Sequence, residues 1–399
     1  MNRFEDELHR ELEAVREAGL YRELRRLDGP QAPRIEFAGK STINFSSNDY
    51  LGLADHPALK EAAIEAIRQF GSGSGASRLI CGSLGIHHKL EEALAAFKGT
   101  PAALTFSSGY SAALGTIGAL VGKDDILVID KLVHASIVDA GRLSGAKLRV
   151  FGHNDLDDLE KILRWADARQ TQASRKPRVL IVTESVFSMD GDLAPLREIV
   201  QLKDRYGAWL MLDEAHATGL FGERRRGVAE AFGVAEQIEV QMGTLGKALG
   251  SAGGYICSSR ALIDLLVNRA RSFIFSTAPS PAPVAAARAA LEILQSNEGE
   301  QRRTLLWKRV DEVKNGIISA GWPLPVVQSA ILPIIVGGET KAVAVAHDLL
   351  QNGIFIPAIR YPTVARGAAR LRLTVSAAHS DADIKTLSDA LSLRKKVDV

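Results

Sequence analysis

The chain has 399 residues, of which 46% are hydrophobic and 24% are charged, as in an ordinary globular protein of two or three domains. Its 49 basic residues nearly balance its 47 acidic residues, so the composition gives no reason to expect binding to nucleic acid or to a membrane surface. No apolar run approaches the roughly 20 residues of a membrane helix, and the charged N-terminus is not a signal peptide. The two cysteines form no C-x-x-C pair, so we expect a cytoplasmic protein without disulfides or a bound metal.

The pattern of apolar residues predicts an α/β protein in three parts. Residues 1–45 are predicted to form a helical arm, residues 46–283 a large α/β domain and residues 284–399 a smaller α+β domain. In the large domain, continuous apolar runs alternate with helical stretches, which is typical of a mainly parallel sheet covered on both faces. The predicted strands are residues 102–106, 125–130, 148–151, 179–183, 208–213, 238–242 and 254–257 in the large domain, and 329–336, 353–359 and 370–375 in the small one.

Polar residues follow several of these strands, at the edge where open α/β sheets bind their ligands. The turn at 107–110 joins a strand to a helix, and its backbone N–H groups would suit a phosphate or simply begin the helix. Asp213 ends a buried strand and His216 follows it, while Lys247 lies in a glycine-rich turn after the strand at 238–242. Taken singly, a capping Asp, a surface His and a solvated turn Lys remain equally ordinary interpretations.

One cofactor requires all of these groups together, namely pyridoxal 5′-phosphate. Its phosphate needs helix N–H groups, its ring nitrogen needs a carboxylate and its aldehyde needs a lysine for a covalent link. The pattern therefore predicts Lys247 as the attachment site, Asp213 as the partner of the ring nitrogen and the turn at 107–110 as the phosphate site.

The tetrapeptide Asp-Glu-Ala-His at residues 213–216 also permits a different class of protein, a nucleic-acid-dependent ATPase. Such an enzyme needs a G-x-x-x-x-G-K-[ST] loop to hold the nucleotide phosphates. The nearest candidate contains Lys247, but Gln241 stands at the first glycine position and Ala248 at the hydroxyl position. The sequence therefore argues against this function.

Five stretches are highly specific when taken together: "GSGSGASRLICG", "HASIVDAGRLSGA", "ESVFSMDGDLAPL", "LDEAHATGLFG" and "TLGKALGSAGGY". They resemble those of the α-oxoamine synthases, a branch of the fold-type-I pyridoxal-phosphate enzymes, and the resemblance extends from about residue 44 to residue 379. The segments "AIRYPTVARGAARLRLT" and "GLYRELR" are most similar to the members that serve biotin synthesis, except that Tyr361 stands where many relatives have proline.

The resemblance implies a homodimeric acyltransferase whose active site lies at the subunit interface. It further implies a decarboxylative condensation of L-alanine with a pimeloyl thioester, carried by coenzyme A or by a carrier protein. Sister reactions that use glycine or serine, such as that of glycine C-acetyltransferase, remain open. A non-catalytic binding protein is disfavoured by the complete lysine, aspartate and histidine set.

The resemblance also assigns roles to individual residues. Lys247 would carry the cofactor and move the Cα proton of the substrate, Asp213 would pair with the ring nitrogen, and His134 would stack on the ring and orient the acyl substrate. Arg372, assisted by Asn48, would bind the amino-acid carboxylate through its planar guanidinium. The remaining cofactor contacts would be Ser108, Gly109, Tyr110, Ser188, His216, Thr244 and, reaching the cofactor of the partner subunit, Ser276 or Thr277, and the acyl contacts would be Arg22, Arg360 and Thr363.

Overall fold

The computed structural model of the chain describes residues 3–18, 20–37, 39–170 and 176–395. Helix α1 (Arg3–Glu17) precedes a hairpin of strands β1 (Arg34–Phe37) and β2 (Lys40–Asn44), after which come helices α2 (Pro57–Phe70) and α3 (Gly85–Lys98). Helix α2 begins where His56 accepts a hydrogen bond from the N–H of Ala58, and it ends at Gly71, whose φ of 81° suits glycine.

The central part of the chain alternates strands and helices as the sequence predicts. In order, its elements are β3 (Ala102–Phe106), α4 (Gly109–Leu120), β4 (Ile126–Asp130), α5 (Ala135–Ser144), β5 (Lys147–Phe151), α6 (Leu156–Gln170), β6 (Val179–Glu184), α7 (Leu196–Tyr206), β7 (Trp209–Asp213), α8 (Val228–Ala231), β8 (Val240–Thr244) and β9 (Gly254–Ser258). A short 3₁₀ helix (Ala235–Gln237) precedes β8.

These strands form one seven-stranded sheet in the order β3-β9-β8-β7-β6-β4-β5. Strands β4 to β8 run parallel to one another, whereas β9 is antiparallel to both of its neighbours, β3 and β8. Every residue of β3, β4, β6 and β9 is buried, and hydrophobic clusters cover both faces of the sheet. The predicted fold, a mainly parallel sheet in an α/β fold-type-I protein, is therefore confirmed.

The C-terminal part contains longer helices and two small sheets. Its elements are α9 (Arg260–Arg269), α10 (Arg271–Ile274), α11 (Pro281–Gln295), α12 (Asn297–Ser319), β10 (Ile331–Gly337), α13 (Glu339–Gln351), β11 (Ile354–Phe355), β12 (Ala358–Ile359), β13 (Ala369–Thr374) and α14 (Asp381–Lys395). Strand β13 pairs antiparallel with β10 and β12, and β2 pairs antiparallel with β1 and parallel with β11.

The N-terminal region differs from the predicted helical arm over residues 1–45. It is helical over Arg3–Glu17 only. Residues 34–37 and 40–44, which include β-branched residues, instead form strands β1 and β2, and β2 pairs with β11 of the C-terminal part. The division of the chain at residue 283 remains a prediction. Within the described ranges, no helix has both the length and the apolar character needed to cross a bilayer.

Candidate active site

The candidate site lies where β6, β7 and β8 end. Because the carboxyl ends of parallel strands meet at one edge of a sheet, Glu184 at the end of β6 lies beside Asp213 at the end of β7, and Lys247 follows β8. The N-terminus of α4 borders the same edge. Together they enclose a cavity of about 170 Å³ lined by Gly109, Tyr110, His134, Ser136, Glu184, Asp213, Ala215, His216, Met242, Thr244 and Lys247.

The amine of Lys247 is the central group of this cavity. Its Nζ atom lies 2.7 Å from Nε2 of His216. Burial lowers the pKa of Lys247, and although the charges of Asp213 and Glu184 oppose that effect, the result is a pKa of about 8. A substantial fraction of the amine is therefore neutral near physiological pH, the form in which lysine acts as a nucleophile or a base.

Two buried acidic side chains line the same cavity as this amine. One oxygen of Asp213 accepts a hydrogen bond of 2.8 Å from the N–H of Ala215, and burial raises the pKa of Asp213 while the charge of Lys247 lowers it. Glu184 Oε1 accepts a hydrogen bond of 2.5 Å from the N–H of His134, and burial together with the charge of Asp213 raises its pKa to about 8. Glu184 was not predicted from the sequence, although it ends a buried strand just as Asp213 does.

His134 begins helix α5 at the mouth of the cavity. Its Nδ1 atom accepts a hydrogen bond of 3.2 Å from the N–H of Ser136, which fixes the ring at the helix N-terminus. Burial and the charge of Lys247 lower the pKa of His134, while the charge of Asp213 raises it. The ring lines the same cavity as the amine and the carboxyl group, and its stacking on the cofactor stays a prediction.

A chain of hydrogen bonds leads from Lys247 to Arg372. His216 Nδ1 lies 2.6 Å from the hydroxyl of Tyr50, which donates to Asn48 Oδ1 at 3.3 Å, and Arg372 Nη2 donates to the same oxygen at 3.2 Å. The two ring nitrogens of His216 therefore bridge the Tyr50 hydroxyl and the Lys247 amine, and the proton carried by one nitrogen is set by the hydrogen bond that the other makes. Burial lowers the pKa of His216 well below its ordinary value and raises that of Tyr50 to about 12, so both side chains are neutral.

Tyr50 is a site residue that the sequence analysis missed. Replacing Tyr50 by phenylalanine leaves the buried Nδ1 atom of His216 without its hydrogen-bond partner, a loss that costs roughly 1–3 kcal/mol. We expect kcat to fall about 10- to 100-fold if that cost appears in the transition state. The measurement is steady-state turnover at saturating substrate. Tyr206→Phe, which removes a hydroxyl bonded to Glu160, is the matched control, and an unchanged kcat in Tyr50→Phe would contradict a role for this chain.

Arg372 is buried at the other end of that chain, on β13. Its Nε atom donates to the carbonyl oxygen of Ser188 at 2.6 Å, while Nη2 contacts Asn48. Two hydrogen bonds from different nitrogens fix the plane of the guanidinium, as bidentate recognition of a carboxylate requires. The predicted residues Arg372, Asn48 and Ser188 thus lie together, although the observed contact of Ser188 is its main-chain oxygen.

The predicted phosphate-side residues surround the N-terminus of α4. Ser108 begins the helix and accepts the N–H of Ser111 at 3.1 Å, so the N–H groups of Gly109 and Tyr110 open the helix where intrahelical acceptors are absent. Thr244 donates to the carbonyl of Gly253 at 3.0 Å. A Cβ atom on Gly254 would lie 2.5 Å from the Ser108 oxygen, so glycine permits the close approach of β9 to this turn.

The predicted acyl and partner residues lie away from this cavity. Arg22 and Arg360 line a separate surface cavity of about 770 Å³ that also contains Tyr21 and Phe37. Thr363 is exposed in the turn that follows, and its N–H donates to the carbonyl of Arg360 at 3.0 Å. Thr277 is exposed and pairs with Ser77 in an isolated bridge.

The residues of the cavity fit pyridoxal 5′-phosphate. The half-buried Lys247 has the lowered pKa that an attachment site needs, and Asp213 is a buried carboxyl group able to face a protonated ring nitrogen. The N–H groups of Gly109 and Tyr110 supply the helix N-terminus that a phosphate requires.

Comparison with known proteins gives the same result. The chain matches the family "Aminotransferase class I and II" over residues 40–391. The 8-amino-7-oxononanoate synthases of Geotalea daltonii and Geobacter sulfurreducens are each 48% identical to it over 382 residues, 96% of this chain and 96% of theirs. A serine palmitoyltransferase from S. paucimobilis, solved with a PLP–myriocin aldimine, matches with a TM-score of 0.89 at 31% identity, over 98% of this chain and 97% of that one. An 8-amino-7-oxononanoate synthase from Francisella tularensis matches with a TM-score of 0.75 at 28% identity, over 90% and 98% of the two chains.

The fold and the cavity define a fold-type-I pyridoxal-phosphate transferase. The chain belongs to the class I and II aminotransferase family, within the branch of its 8-amino-7-oxononanoate synthase relatives. The resemblance predicted from the sequence is thereby confirmed, and so is pyridoxal 5′-phosphate as the cofactor.

The lowered pKa of Lys247 predicts how cofactor attachment depends on pH. The neutral amine is the nucleophile, so attachment to the apoprotein should accelerate about tenfold per pH unit below pH 8 and level off above it, given the pKa of about 8. Stopped-flow absorbance measures this rate, with Lys247→Ala as the control that should show no covalent attachment. A rate that still rises between pH 9 and pH 10 would mean that the amine has an ordinary lysine pKa.

Proposed function

We propose that the chain joins L-alanine to a pimeloyl thioester, giving 8-amino-7-oxononanoate, CO₂ and the free thiol, a step of biotin synthesis. In this reaction a carbon–carbon bond forms between the alanine Cα and the acyl carbonyl carbon. The thiol leaves the acyl group and the alanine carboxylate leaves as CO₂. The observation that carries the proposal is the amine of Lys247, which contacts His216, shares a cavity with Asp213 and is linked through Tyr50 and Asn48 to Arg372.

Arg372 and Asn48 bind the amino-acid carboxylate in this proposal. The guanidinium is fixed in its plane by Ser188 and Asn48, so it meets a carboxylate with little loss of side-chain freedom. Binding at this point places the amino-acid Cα between the carboxylate site and Lys247, where its proton is accessible to the amine.

Lys247 takes the Cα proton on Nζ and later returns a proton to the product carbon. Pyridoxal 5′-phosphate, when bound, supplies an electron-accepting ring that stabilises negative charge on the substrate carbon. The role of Asp213 is to keep the proton on the ring nitrogen, since a buried carboxylate favours a protonated partner. His216 holds Lys247 at 2.7 Å, and His134 covers the opposite face and orients the acyl carbonyl.

The cavity that contains Arg22 and Arg360 receives the acyl substrate in this proposal. Both side chains are cations, and Thr363 lies in the adjoining turn, so the region suits an acyl chain that ends in a carboxylate or a carrier that bears phosphate. The acyl carrier is coenzyme A or a carrier protein.

The active form is proposed to be a cytoplasmic homodimer with sites at the interface. Thr277 is exposed on a segment that pairs with Ser77, which leaves its hydroxyl accessible to the phosphate of a partner's cofactor. Size-exclusion chromatography with light scattering tests the dimer, and Thr277→Ala should weaken cofactor binding without changing the dimer.

A panel of substrates tests the proposed reaction. L-Alanine, glycine and L-serine are each combined with pimeloyl-CoA, a pimeloyl carrier protein and acetyl-CoA, and products are identified by mass spectrometry. Formation of 8-amino-7-oxononanoate with L-alanine as the preferred amino acid supports the proposal. A preference for glycine with acetyl-CoA would favour the sister reaction, and nucleic-acid-stimulated ATP hydrolysis would overturn the proposal altogether.

A further inference from the structure

A cluster of polar side chains lies beside the active site without lining its cavity. It consists of Asp130 at the end of β4, His153 and Asn154 after β5, and Asp192 before α7, and is called the His153 cluster below. His153 Nδ1 lies 3.1 Å from Asp130 Oδ1, and its Nε2 lies 2.8 Å from Asp192 Oδ2. The side-chain nitrogen of Asn154 donates to the same Asp192 oxygen at 3.0 Å.

The imidazole of His153 is positively charged in this arrangement. Burial lowers its pKa, but hydrogen bonds to Asp130 and Asp192 and the charges of both acids outweigh burial and raise the pKa to about 10. Both ring nitrogens therefore donate, one to each carboxylate. The edge of the ring also packs against Phe187 at a centroid distance of 4.4 Å.

Asp130 is the fixed end of the cluster. It is fully buried at the end of a central strand, and its carboxylate accepts the N–H of Leu132 at 2.7 Å and that of Asn154 at 2.9 Å. Asn154 itself has a φ of 54°, a backbone conformation that this short polar residue tolerates. The His153 turn is thus anchored to the sheet from several directions.

Asp192 is the other end of the cluster, and it closes the loop at residues 187–192. The N–H of Phe187 donates to the Asp192 carbonyl at 3.0 Å, and the N–H of Gly191 donates back to the Phe187 carbonyl at 2.8 Å. Within this loop, the carbonyl of Ser188 accepts the hydrogen bond from Arg372 Nε at 2.6 Å. The position of the loop therefore decides the orientation of the Arg372 guanidinium.

The same loop holds a second arginine of β13. Asp190 forms an ion pair of 2.5 Å with Arg370, which also donates to the Met189 carbonyl at 3.4 Å. Arg370 and Arg372 are two residues apart on one strand, so their side chains leave the same face of the sheet. Loop 187–192 therefore contacts both side chains. Its backbone is joined to the sheet where residues 185–186 pair with residues 193–194, and His153 and Asn154 add a side-chain link from Asp192 to Asp130 at the end of β4.

We propose that His153 is a positioning residue for recognition of the amino-acid carboxylate. By bridging Asp130 and Asp192 it fixes loop 187–192, and through the Ser188 carbonyl it orients Arg372. The inference rests on the proposed role of Arg372 as the carboxylate site. It goes beyond that role by making carboxylate selectivity depend on a histidine that contacts neither substrate nor cofactor.

The test compares L-alanine with L-alaninamide, which has the same side chain and amine but no carboxylate. In His153→Gln, we expect the Kd for L-alanine, from absorbance titration of the holoenzyme, to rise about tenfold, the scale of one charge-assisted hydrogen bond. The Kd for L-alaninamide should change less than twofold. His347→Gln, at an exposed position on α13, is the control.

A double variant distinguishes positioning from a general loss of structure. If His153 acts through Arg372, then in a protein that already carries Arg372→Lys, the further change His153→Gln should hardly alter the ratio of the Kd for L-alanine to the Kd for L-alaninamide. The inference would be overturned if His153→Gln weakened the binding of both ligands equally, or if the effects of the two substitutions on the Kd ratio were fully additive. Should His153→Gln fail to fold, Asp192→Asn removes the same bridge from its other end and gives the same comparison.

A measurement on the apoprotein checks the bridge directly. In protein labelled with isotopes at histidine, the NMR signal of His153 is identified as the one that disappears in His153→Gln. This signal should titrate above pH 8 in the parent protein, and its pKa should lie nearer the ordinary histidine range in Asp192→Asn. An ordinary pKa in the parent would overturn the bridge. If the parent protein makes no product from L-alanine, the proposed reaction fails, and the ratio of the two Kd values is then measured with glycine and glycinamide. If the parent protein is active but His153→Gln leaves this ratio unchanged, the inference about His153 is overturned while the proposed reaction stands.

Discussion

Replacing Lys247 by alanine is expected to lower kcat by at least about 10⁴-fold, the upper range for loss of a positioned acid–base group. The reason is that one atom has two tasks. Nζ of Lys247 is both the attachment point for the cofactor and the proposed base for the Cα proton, and His216 at 2.7 Å has no comparable reach to either. The visible absorbance band of the lysine-linked cofactor should disappear at the same time.

Lys89→Ala is the matched control, because Lys89 is exposed on α3 and its removal should change neither turnover nor absorbance. Thermal unfolding of both variants tests whether a loss of turnover reflects a loss of the fold. Removing a buried amine should leave stability similar or higher, since the desolvation penalty on its charge disappears. A Lys247→Ala protein that still forms product would refute the role given to this amine.

Asp213→Asn is expected to lower kcat about 10²- to 10⁴-fold. This range corresponds to the 3–5 kcal/mol lost when a buried charge pair is broken by removing one partner. An amide is a poor partner for a protonated ring nitrogen, so charge on the substrate carbon is less well stabilised. The charge of Asp213 also raises the pKa of Lys247, so the amine should titrate at lower pH in the variant.

Steady-state kinetics and the pH dependence of cofactor attachment together check the Asp213 prediction. The control is Asp264→Asn, at an exposed position on α9. If Asp213→Asn lost activity only through weaker cofactor binding, then excess pyridoxal 5′-phosphate would restore kcat. Such a recovery would contradict a role for the carboxylate in the reaction itself.

Much of the fold and the centre of the site follow from the sequence. Continuous apolar runs predicted the seven strands of the central sheet, and the rule that ligands bind beyond the carboxyl ends of strands brought Asp213 and Lys247 to one edge. The strand at 238–242 begins two residues later, at Val240. Its N-terminal limit depends on pairing with β7 and β9 rather than on the apolar run itself.

The residues that were missed depend on contacts between distant parts of the chain. Tyr50 enters the site only because the segment after β2, which carries both Asn48 and Tyr50, passes beside His216, and no local pattern reveals this. Glu184 could have been predicted from its position at the end of a strand. It was missed because burying a glutamate next to an aspartate is ordinarily unfavourable. The sequence indicates a short strand within residues 39–53, where β2 lies, but β1 was missed, and the sheet that they form with β11 depends on residues far along the sequence.

The pairing of β2 with β11 has a consequence for the order in which the protein matures. Ile43 lies opposite Ile354, and the N–H of Thr374 donates to the Phe45 carbonyl, so the segment that carries Asn48 and Tyr50 is fixed by residues near the end of the chain. At translation rates of about 5–20 residues per second, the first strand waits roughly 15–60 seconds for its partner. A nascent chain on the ribosome can already have folded the sheet around Lys247, yet the segment that carries Asn48 and Tyr50 is fixed only after residues 354–374 have emerged.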